Sequence, residues 1–592
     1  MSDGASGHAY RKKLRGWLSY AFASEVFVIV SLTLFLPICL EQFARDNGYL
    51  MPERTVRCTG LTQPQNGTAM AANGVEDADV RCVVKIAWFW IDTASFSLYI
   101  YSLSVALQAL TVISIGGIAD HPQHRKRILL AFAYLGSLSA TLFLLLPSTS
   151  TIWWFSSLLA ICANVGFGAS TVAMNAYLPS LARDSPDVAQ VLRNHQGEAY
   201  SIDVEPHSID DDAEHYVNDP DNLNAPLITP QSPSTVPIID AYTQGSAIFS
   251  VDSVTKSEYD ATLSRATSRI SSQGIALGYG AGIILLMVAL IPVTILHGST
   301  FSLRLAIGLS GIWWMFFTVP AAVWLPGRIW PSKEDTSAVE NADNAWGDTS
   351  RAEEWSLLRE VAKAWKKLGN MLLWREVRKL QNTFIYLAAW FLLSDGFTTI
   401  TATAVLFGKT VLHMPPSSLI LVGIFTPLSG ILGSLLWPHV QKRFGWSNLR
   451  VLVTLVLMAS AVPAYGCLGF LIQGTGAHFG GLTTPGEMFG LAVYFGSVYG
   501  AFQGYARAFY AELLPPGEEA RWYALFSITD KSSSFIGPLI VGLISDLTGN
   551  IRYSFFFLIF MVWAAVPILA AVNVDRGRKD AIEYSKTARN RS

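Results

Sequence analysis

The chain has 592 residues, of which 51% are hydrophobic and 15% charged, and its mean hydropathy is +0.35. This excess of apolar residues excludes an ordinary soluble domain and indicates a protein that crosses the lipid bilayer several times. The formal net charge is −2, and the basic residues are scattered over short loops. We therefore expect no nucleic-acid partner, because nucleic-acid binding needs a concentrated basic face.

Twelve segments are apolar enough to cross a hydrocarbon core of about 30 Å. They are predicted at 17–40, 95–118, 127–147, 152–178, 274–297, 301–325, 382–408, 417–437, 449–472, 487–512, 524–547 and 553–574. The pattern predicts an all-α membrane protein of twelve transmembrane helices in two halves of six. The predicted regions are 1–180 (helices 1–4), 181–272 (a loop), 273–325 (helices 5 and 6), 326–381 (a linker between the halves), 382–575 (helices 7–12) and 576–592 (a tail).

The basic residues predict which side of the membrane each loop occupies. They precede the first span and follow the second, eighth and last spans, namely Arg11, Lys12, Lys13, Arg15, Arg125, Lys126, Arg127, Lys442, Arg443, Arg450, Arg576, Arg578 and Lys579. All fall on one side if the spans alternate, whereas the connections 147–151 and 297–300 contain no lysine or arginine. Because cytosolic loops are enriched in these cations, we expect both termini to be cytosolic.

The loop between the first two spans, residues 41–94, is the one large segment predicted on the opposite side. It contains Cys58 and Cys82, and Asn66-Gly67-Thr68 is an acceptor sequence for an N-linked glycan. A lumenal or extracellular compartment permits both modifications. We expect a disulfide between the two cysteines and a glycan on Asn66, although spacing alone leaves open whether the sulfur atoms meet.

Two long insertions interrupt the spans. Residues 181–272 are rich in Ser, Pro, Asp and Asn and lack an apolar period, which predicts a disordered cytosolic loop. It is either a passive tether or a segment that is phosphorylated or binds protein partners. Within 326–381, apolar residues recur at three- and four-residue spacing from Trp355 to Leu372, which predicts an amphipathic helix. That helix either lies on the membrane surface or packs under the helix bundle.

Acidic residues occur at matching depth in the first and seventh spans. Glu25 lies in the sequence SEVF, and Asp395 lies in the sequence SDGF. Because a carboxylate in hydrocarbon is costly unless it faces a cavity or a partner, the two predict a central polar site shared by both halves. The alternative is that each is a buried structural carboxylate, neutral or paired.

The loop after the second span, GGIADHPQHRKR, resembles the cytosolic loop signature of the major facilitator superfamily. It contains a glycine, Asp120 and a basic cluster with Arg125 and Lys126, but it is one residue longer and lacks the usual glycine before the basic pair. The resemblance implies a charge clasp between the two halves that opens when the cavity turns inward. The alternative is that the arginines only determine topology.

The facilitator architecture implies that the first, fourth, seventh and tenth spans line the cavity. These spans contain Glu25, Asn164, Asp395 and Arg507. Asn164 lies in the small-residue stretch NVGFGAS and can hydrogen-bond a neighbouring helix or a substrate. Arg507 either faces the cavity or extends to the cytosolic surface, since it lies within about two turns of the helix end.

The eleventh span contains the adjacent charges Asp530 and Lys531, three serines and then Gly537-Pro538. Adjacent side chains on a helix point about 100° apart, so we expect each charge to have a partner on another span. The Gly-Pro pair predicts a kink, which neighbouring helices can satisfy. The alternative for the two charges is a pair at the membrane edge.

Three strings resemble the fungal vacuolar amino-acid effluxers, the family of autophagy-related protein twenty-two within the major facilitator superfamily. They are WFLLSDGFTTI, NVGFGASTVAMNAYLP and YALFSITDKSSSFIGPLIVGLISDLTGN, of which the last is the specific one. The similarity covers nearly all the spans and both insertions. It implies a multi-pass protein of the vacuole membrane that returns amino acids from autophagic breakdown to the cytosol, and it implies no particular binding residues.

The charged residues suggest how such a substrate is held during alternating access around a site at the midplane. An amino acid is a zwitterion, so its ammonium needs a carboxylate, for which Glu25 and Asp395 are the candidates. Its carboxylate needs a cation, for which the candidates are Arg507 and Lys531. If the lumen is acidic, a buried carboxylate can take up a proton there and release it in the cytosol, which couples export to protons.

Two other functions remain open at this point. One is a carrier of another small solute such as a sugar or a lysolipid, and the other is a non-transporting scaffold or sensor in autophagy. An enzyme is not expected, because the chain has no Gly-x-Ser-x-Gly elbow and the loop 41–92 has no histidine. We likewise expect no catalytic residue, no metal site and no cofactor.

Overall fold

The computed structural model describes residues 2–52, 54–58, 81–86, 88–120, 122–191, 245–327, 357–472, 479–515 and 519–589. Residues 1–10 and 179–270 form one compact unit, and residues 11–178 and 271–592 form the other. Within the first unit, Arg269 Nη2 and Asp187 Oδ2 form an ion pair at 2.9 Å. The candidate functional site belongs to the second unit.

The first half of the chain forms long apolar helices. They are α1 (Ser2–Val26) with a π-helical continuation (Phe27–Phe35), α2 (Leu36–Asp46), α3 (Thr93–Asp120), α4 (Pro122–Leu142), α5 (Phe155–Asn175), the short α6 (Leu178–Arg183), α7 (Gly245–Ile295) and α8 (Thr300–Trp324). In the second unit, α4 packs on α5 and α8, and α3 packs on α5. Close helix packing of this kind gives the side chains that do not face lipid their van der Waals contacts and hydrogen bonds.

The second half begins with two short helices and continues with another set of apolar ones. They are α9 (Leu357–Met371), α10 (Trp374–Lys379), α11 (Gln381–Thr410), α12 (Pro416–Phe444), α13 (Asn448–Ile472), α14 (Pro485–Ala511), α15 (Glu519–Ser533), α16 (Ile536–Thr548), α17 (Ser554–Ala570) and α18 (Val574–Arg589). Here α12 packs on α14, and α17 packs on α11 and α13. The seam between the halves includes the contact of α16 with α3.

Ten helical segments in the described part of the chain are long and apolar enough to cross a membrane. This confirms the predicted all-α membrane class, but it does not establish the predicted number of twelve spans. The two predicted spans outside this set are 487–512, which is α14, and 524–547, which is α15 and α16. The first is made less apolar by its polar residues, and the second is interrupted after Ser533.

The structure differs from the prediction of a disordered loop over 181–272. The fifth span belongs to α7, which begins at Gly245, so residues 245–272 are helical. No proline or glycine occurs between 246 and 273, and a helix that has formed in the span can therefore propagate backwards at little cost. Residues 192–244, with the acidic cluster 210–214, lie outside the described residues.

A three-stranded antiparallel sheet lies between α2 and α3, which the sequence did not predict. Its order is β1 (Tyr49–Leu50), β2 (Cys82–Ile86) and β3 (Phe89–Asp92). Val83 and Val84 of β2 are buried. A disulfide joins Cys58 to Cys82, with Cα atoms 6.1 Å apart, while Asn66 lies outside the described residues. We call the end of the bundle that carries these strands the sheet end.

The amphipathic helix predicted in the linker is α9, and it packs against α3. The indole Nε1 of Trp365 donates a hydrogen bond of 3.2 Å to Ser114 Oγ in α3. Of the two placements left open by the sequence, the structure therefore shows packing on the bundle.

Candidate functional site

Glu25 lies in the last turn of α1, directly before the π-helical segment Phe27–Phe35. Departures from regular helix of this type are frequent at functional sites. Helix α7 crosses α1 here so closely that a Cβ on Gly278 would lie 2.5 Å from Glu25 Cγ. Glycine at 278 therefore permits the approach, and the Glu25 side chain remains partly exposed.

Two cations of the second half act on this carboxylate. Arg507 of α14 and Lys531 of α15 both interact electrostatically with Glu25. Arg507 is exposed, and the Lys531 side chain is 40% exposed, so neither cation is enclosed by the protein. Within the described part of the chain, neither Glu25 nor Arg507 makes a hydrogen bond or an ion pair. Two opposite charges are therefore available to a ligand at the seam between the halves.

Tyrosines from three helices surround these charges. Tyr279 of α7 interacts electrostatically with both Glu25 and Arg507. Tyr499 of α14 interacts with Tyr279, with Tyr101 of α3 and with Asp530 of α15. The central cluster is defined here as Glu25, Tyr101, Tyr279, Tyr499, Arg507, Asp530 and Lys531.

The three tyrosines were missed in the sequence analysis, because a tyrosine in an apolar span is usually interpreted as a side chain packed between helices. One local signal exists, since Gln503 Nε2 donates a hydrogen bond of 2.9 Å to the hydroxyl of Tyr499. Two polar side chains four residues apart occupy one face of a helix. That spacing in the tenth span indicates a polar face.

Asp530 and Lys531 contact each other as well as residues of other spans. Lys531 Nζ lies 3.6 Å from Asp530 Oδ2, because the long lysine side chain can bend back over the 100° that separates neighbours on a helix. Asp530 also accepts a hydrogen bond of 2.7 Å from Ser394 Oγ in α11. Asp530 therefore contacts another span, as expected, and Lys531 interacts electrostatically with Glu25 of α1.

Asp395 is buried, with 3% of its surface exposed, and it is bonded to the backbone of α16 rather than to the charges around Glu25. The amide nitrogen of Gly537 donates to Asp395 Oδ1 at 3.1 Å and to Oδ2 at 2.8 Å. Thr399 Oγ1 donates to Oδ1 at 3.3 Å. The structure therefore brings Glu25, Arg507 and Lys531 together and leaves Asp395 beside them.

Asn164 is buried and connects two helices of the first half. Its Nδ2 donates a hydrogen bond of 2.7 Å to Ser104 Oγ, which joins α5 to α3. Only 1% of the residue is exposed. The structure thus places Asn164 in a helix–helix contact.

The predicted clasp residues lie at the end of the bundle opposite the sheet end. Lys126 Nζ donates a hydrogen bond of 2.9 Å to the carbonyl of Leu325 at the end of α8. The guanidinium of Arg125 lies 5.0 Å from the ring centre of Tyr177. Both contacts lie within the first half, and the side chain of Asp120 is outside the described residues. The clasp between the halves stays a prediction.

At the sheet end, a buried ion pair joins the two halves. Lys409 Nζ of α11 lies 2.5 Å from Glu41 Oε2 of α2, and Glu41 is fully buried. Lys409 also donates to the carbonyl of Ile38 at 3.0 Å and to Gln42 Oε1 at 3.1 Å. Arg45 completes the group with a 2.9 Å contact to Glu41 Oε1. Such a pair stabilises the contact between the halves only while both charges are present, since burying either charge alone is costly.

A second connection at the same end involves the sheet. Arg81 Nε lies 3.2 Å from Asp92 Oδ2, and Arg81 Nη2 lies 3.3 Å from Asp546 Oδ1 in α16. Asp546 Oδ1 also accepts the amide of Asp92 at 2.9 Å. Burial raises the pKa of Asp92, although the Ala94 amide and the Arg81 cation act in the opposite direction. The sheet end is therefore joined across the halves at two places.

Two packed halves, a charged cluster at their seam and ion pairs across one end are features of a membrane transporter. Among solved structures, a mutant peptide transporter, POT, in complex with sulfate has a TM-score of 0.51 and 13% identity, with 96% of this chain and 95% of that chain covered. At this identity the likeness shows the fold alone. The fold is that of the major facilitator transporters, as predicted.

The family is established by sequence. A family model described as "Vacuole effluxer Atg22 like" matches residues 9–582. Autophagy-related protein 22 of Cryptococcus neoformans var. neoformans serotype D (strain JEC21) is 42% identical over 97% of each chain. Autophagy-related protein 22-1 of Neosartorya fischeri is 37% identical over 97% of this chain and 91% of that protein. The chain belongs to the Atg22-like vacuole effluxer family, and it is a transporter of the autophagy pathway.

Proposed function

We propose that the protein exports amino acids from the vacuole lumen to the cytosol, and so returns the products of autophagic degradation by alternating access. The observation that supports this most is the electrostatic interaction of Glu25 with Lys531 and Arg507 of the other half. Glu25 and Arg507 lie on different halves, and neither makes a hydrogen bond or an ion pair within the described residues; a zwitterion is the ligand that neutralises both at once.

The orientation follows from the sheet end. We assign this end to the lumen, because a disulfide persists in an oxidising compartment and not in the cytosol. The basic loops support cytosolic termini. Since Lys409 and Glu41 join the halves at the lumenal end, we assign the exposed cations of the central cluster to the cytosolic side. In this proposal, the state closed at the lumenal end is the one that releases substrate.

In this proposal Glu25 binds the substrate ammonium and Arg507 binds its carboxylate. Lys531 assists Arg507, but it is partly neutralised by Asp530. Glu25 is also the group that can take a proton from an acidic lumen when no substrate is bound, so export can be coupled to protons. When the carrier opens to the lumen, Asp120 and its basic neighbours Arg125 and Lys126 close the cytosolic side.

The proposal is tested by transport of a panel of labelled amino acids in proteoliposomes, with and without a pH gradient. Export of amino acids that an acidic lumen accelerates is the expected result. Transport of sugars or lysolipids in place of amino acids would assign the site to another solute. Deletion of residues 190–265 should leave the flux intact, whereas a scaffold or sensor would lose its function.

The partly buried Asp92 predicts a pH dependence of lumenal closure. Because its pKa is raised in the closed state, that state binds a proton more readily than an open state in which Asp92 faces water. Falling lumenal pH therefore relieves the cost of burying this carboxylate and favours closure. The charged and titratable groups that face it are Arg81, Asp546 and Tyr99.

The effect is measurable as protection of the buried thiol of Cys39 from a membrane-impermeant maleimide added at the lumenal face. Protection should increase as lumenal pH falls in the wild type. The increase should be smaller in Asp92→Asn, whose amide does not titrate. An equal increase in both proteins would show that another group carries the pH response.

A further inference from the structure

The eleventh predicted span is interrupted near its middle. Helix α15 ends at Ser533 and α16 begins at Ile536, so Ser534 and Phe535 are not helical. Pro538 contributes to the interruption, because it has no N–H to donate to the carbonyl four residues earlier. A break inside a membrane leaves backbone groups that neighbouring helices must satisfy.

Adjacent residues of α11 bind both sides of this break. Ser394 Oγ donates a hydrogen bond of 2.7 Å to Asp530 in α15, and the Asp395 carboxylate accepts the amide of Gly537 in α16. From the other half, Ser102 Oγ of α3 donates a hydrogen bond of 2.6 Å to the carbonyl of Phe535. The break is therefore held at the seam, next to the central cluster.

Glycine at 537 is a condition for this contact. A Cβ at this position would lie 2.0 Å from Thr399 Oγ1 and 2.8 Å from Asp395 Oδ1. Any other residue would push α16 away from α11. Gly537 has no side chain, and its amide donates to the Asp395 carboxylate. Helices α16 and α11 can therefore pack closely at this point.

We infer that Asp395 is a positioning residue: it caps α16 and, with Ser394, fixes the break so that Asp530 and Lys531 stand in the central cluster. Its oxygens are occupied by Gly537 and Thr399, and it is buried away from water. Lys531 depends on the same arrangement, since it pairs with Asp530. This differs from the ammonium-binding role that the sequence suggested for Asp395. The use of the cluster for transport rests on the proposed function, whereas the geometry of the break does not.

The test compares Asp395→Asn, Asp395→Ala and Gly537→Ala in the full-length protein in proteoliposomes. Asparagine keeps an oxygen that can accept the Gly537 amide, so Asp395→Asn should transport within about threefold of wild type with an unchanged pH profile. Asp395→Ala and Gly537→Ala should each lower the maximal rate about tenfold, and the double variant should be no worse than either. If asparagine is as damaging as alanine, or if it shifts the pH profile, Asp395 is a ligand or a proton carrier and the inference is wrong.

A second readout needs no substrate. Lys531→Cys is introduced into each background, with Cys39, Cys162 and Cys467 replaced by serine, and its labelling by a charged thiol reagent is timed. Labelling should change about tenfold with Asp395→Ala or Gly537→Ala and stay constant with Asp395→Asn. Constant labelling in both alanine variants would overturn the inference. If wild type exports no amino acid while this labelling pattern holds, the proposed function fails and the inference stands. Gly537→Ala keeps the test decisive if Asp395→Ala does not accumulate.

Discussion

Glu25→Gln is expected to lower amino-acid export by about 10- to 100-fold while the protein still reaches the vacuole membrane. Glutamine has the same shape but no charge, so the substrate ammonium loses a charge-assisted hydrogen bond worth about 1.5–3 kcal/mol. Because Arg507 and Lys531 remain, the site also becomes net positive and repels that ammonium. Initial rates of labelled amino-acid efflux from isolated vacuoles measure the change.

The matched control is Glu583→Gln, the same chemical change on the exposed face of α18, and it should leave the rate unaltered. Arg507→Gln should be about as harmful as Glu25→Gln, while Arg507→Lys should retain part of the activity because the charge is kept. If Glu25→Gln exports amino acids at the wild-type rate, Glu25 does not bind the substrate.

Lys409→Met is expected to open the lumenal end and to slow export strongly. Breaking a buried ion pair costs about 3–5 kcal/mol. The lower value, about 3 kcal/mol, applies to Lys409→Met because Arg45 still contacts Glu41. A shift of this size changes the ratio of closed to open carriers by about 100-fold. The carrier then remains open to the lumen and releases substrate to the cytosol more rarely.

The thiol of Cys39 reports this opening, since it is fully buried and adjacent to Ile38, whose carbonyl binds Lys409. Its labelling from the lumenal face should accelerate in Lys409→Met but not in Lys442→Met, where the lysine is exposed. Adding Glu41→Gln to Lys409→Met removes the unpaired carboxylate and should restore part of the protection. Unchanged labelling of Cys39 in Lys409→Met would show that the pair does not hold the end closed.

Most of the helical architecture could be predicted from apolar segment length alone, because a span must satisfy its backbone internally whatever surrounds it. The predictions failed where tertiary context decides. Residues 245–272 are polar enough to be predicted as a loop, but they form the N-terminal part of α7, ahead of the span. The sheet of β1 to β3 depends on pairing between strands of two to five residues, too short to give a periodic signal.

The candidate site could be predicted only in part. Glu25, Arg507 and Lys531 stand out because charges are rare in apolar spans, and the structure brings them together. Asp395 stands out equally, yet the fold uses it to cap a broken helix, and nothing in its own span reveals that partner. Tyr101, Tyr279 and Tyr499 were missed because the side chain is common in both packed and polar surroundings.

The most direct test of the central claim is a set of binding measurements with one transported amino acid, its decarboxylated amine and its deaminated acid. Wild type should bind the amino acid more tightly than either analogue. Glu25→Gln should lose the preference for the amino acid over the deaminated acid, and Arg507→Gln should lose the preference over the amine. If both variants weaken all three ligands equally, Glu25 and Arg507 do not bind the two ends of the zwitterion, and the account of the site is wrong.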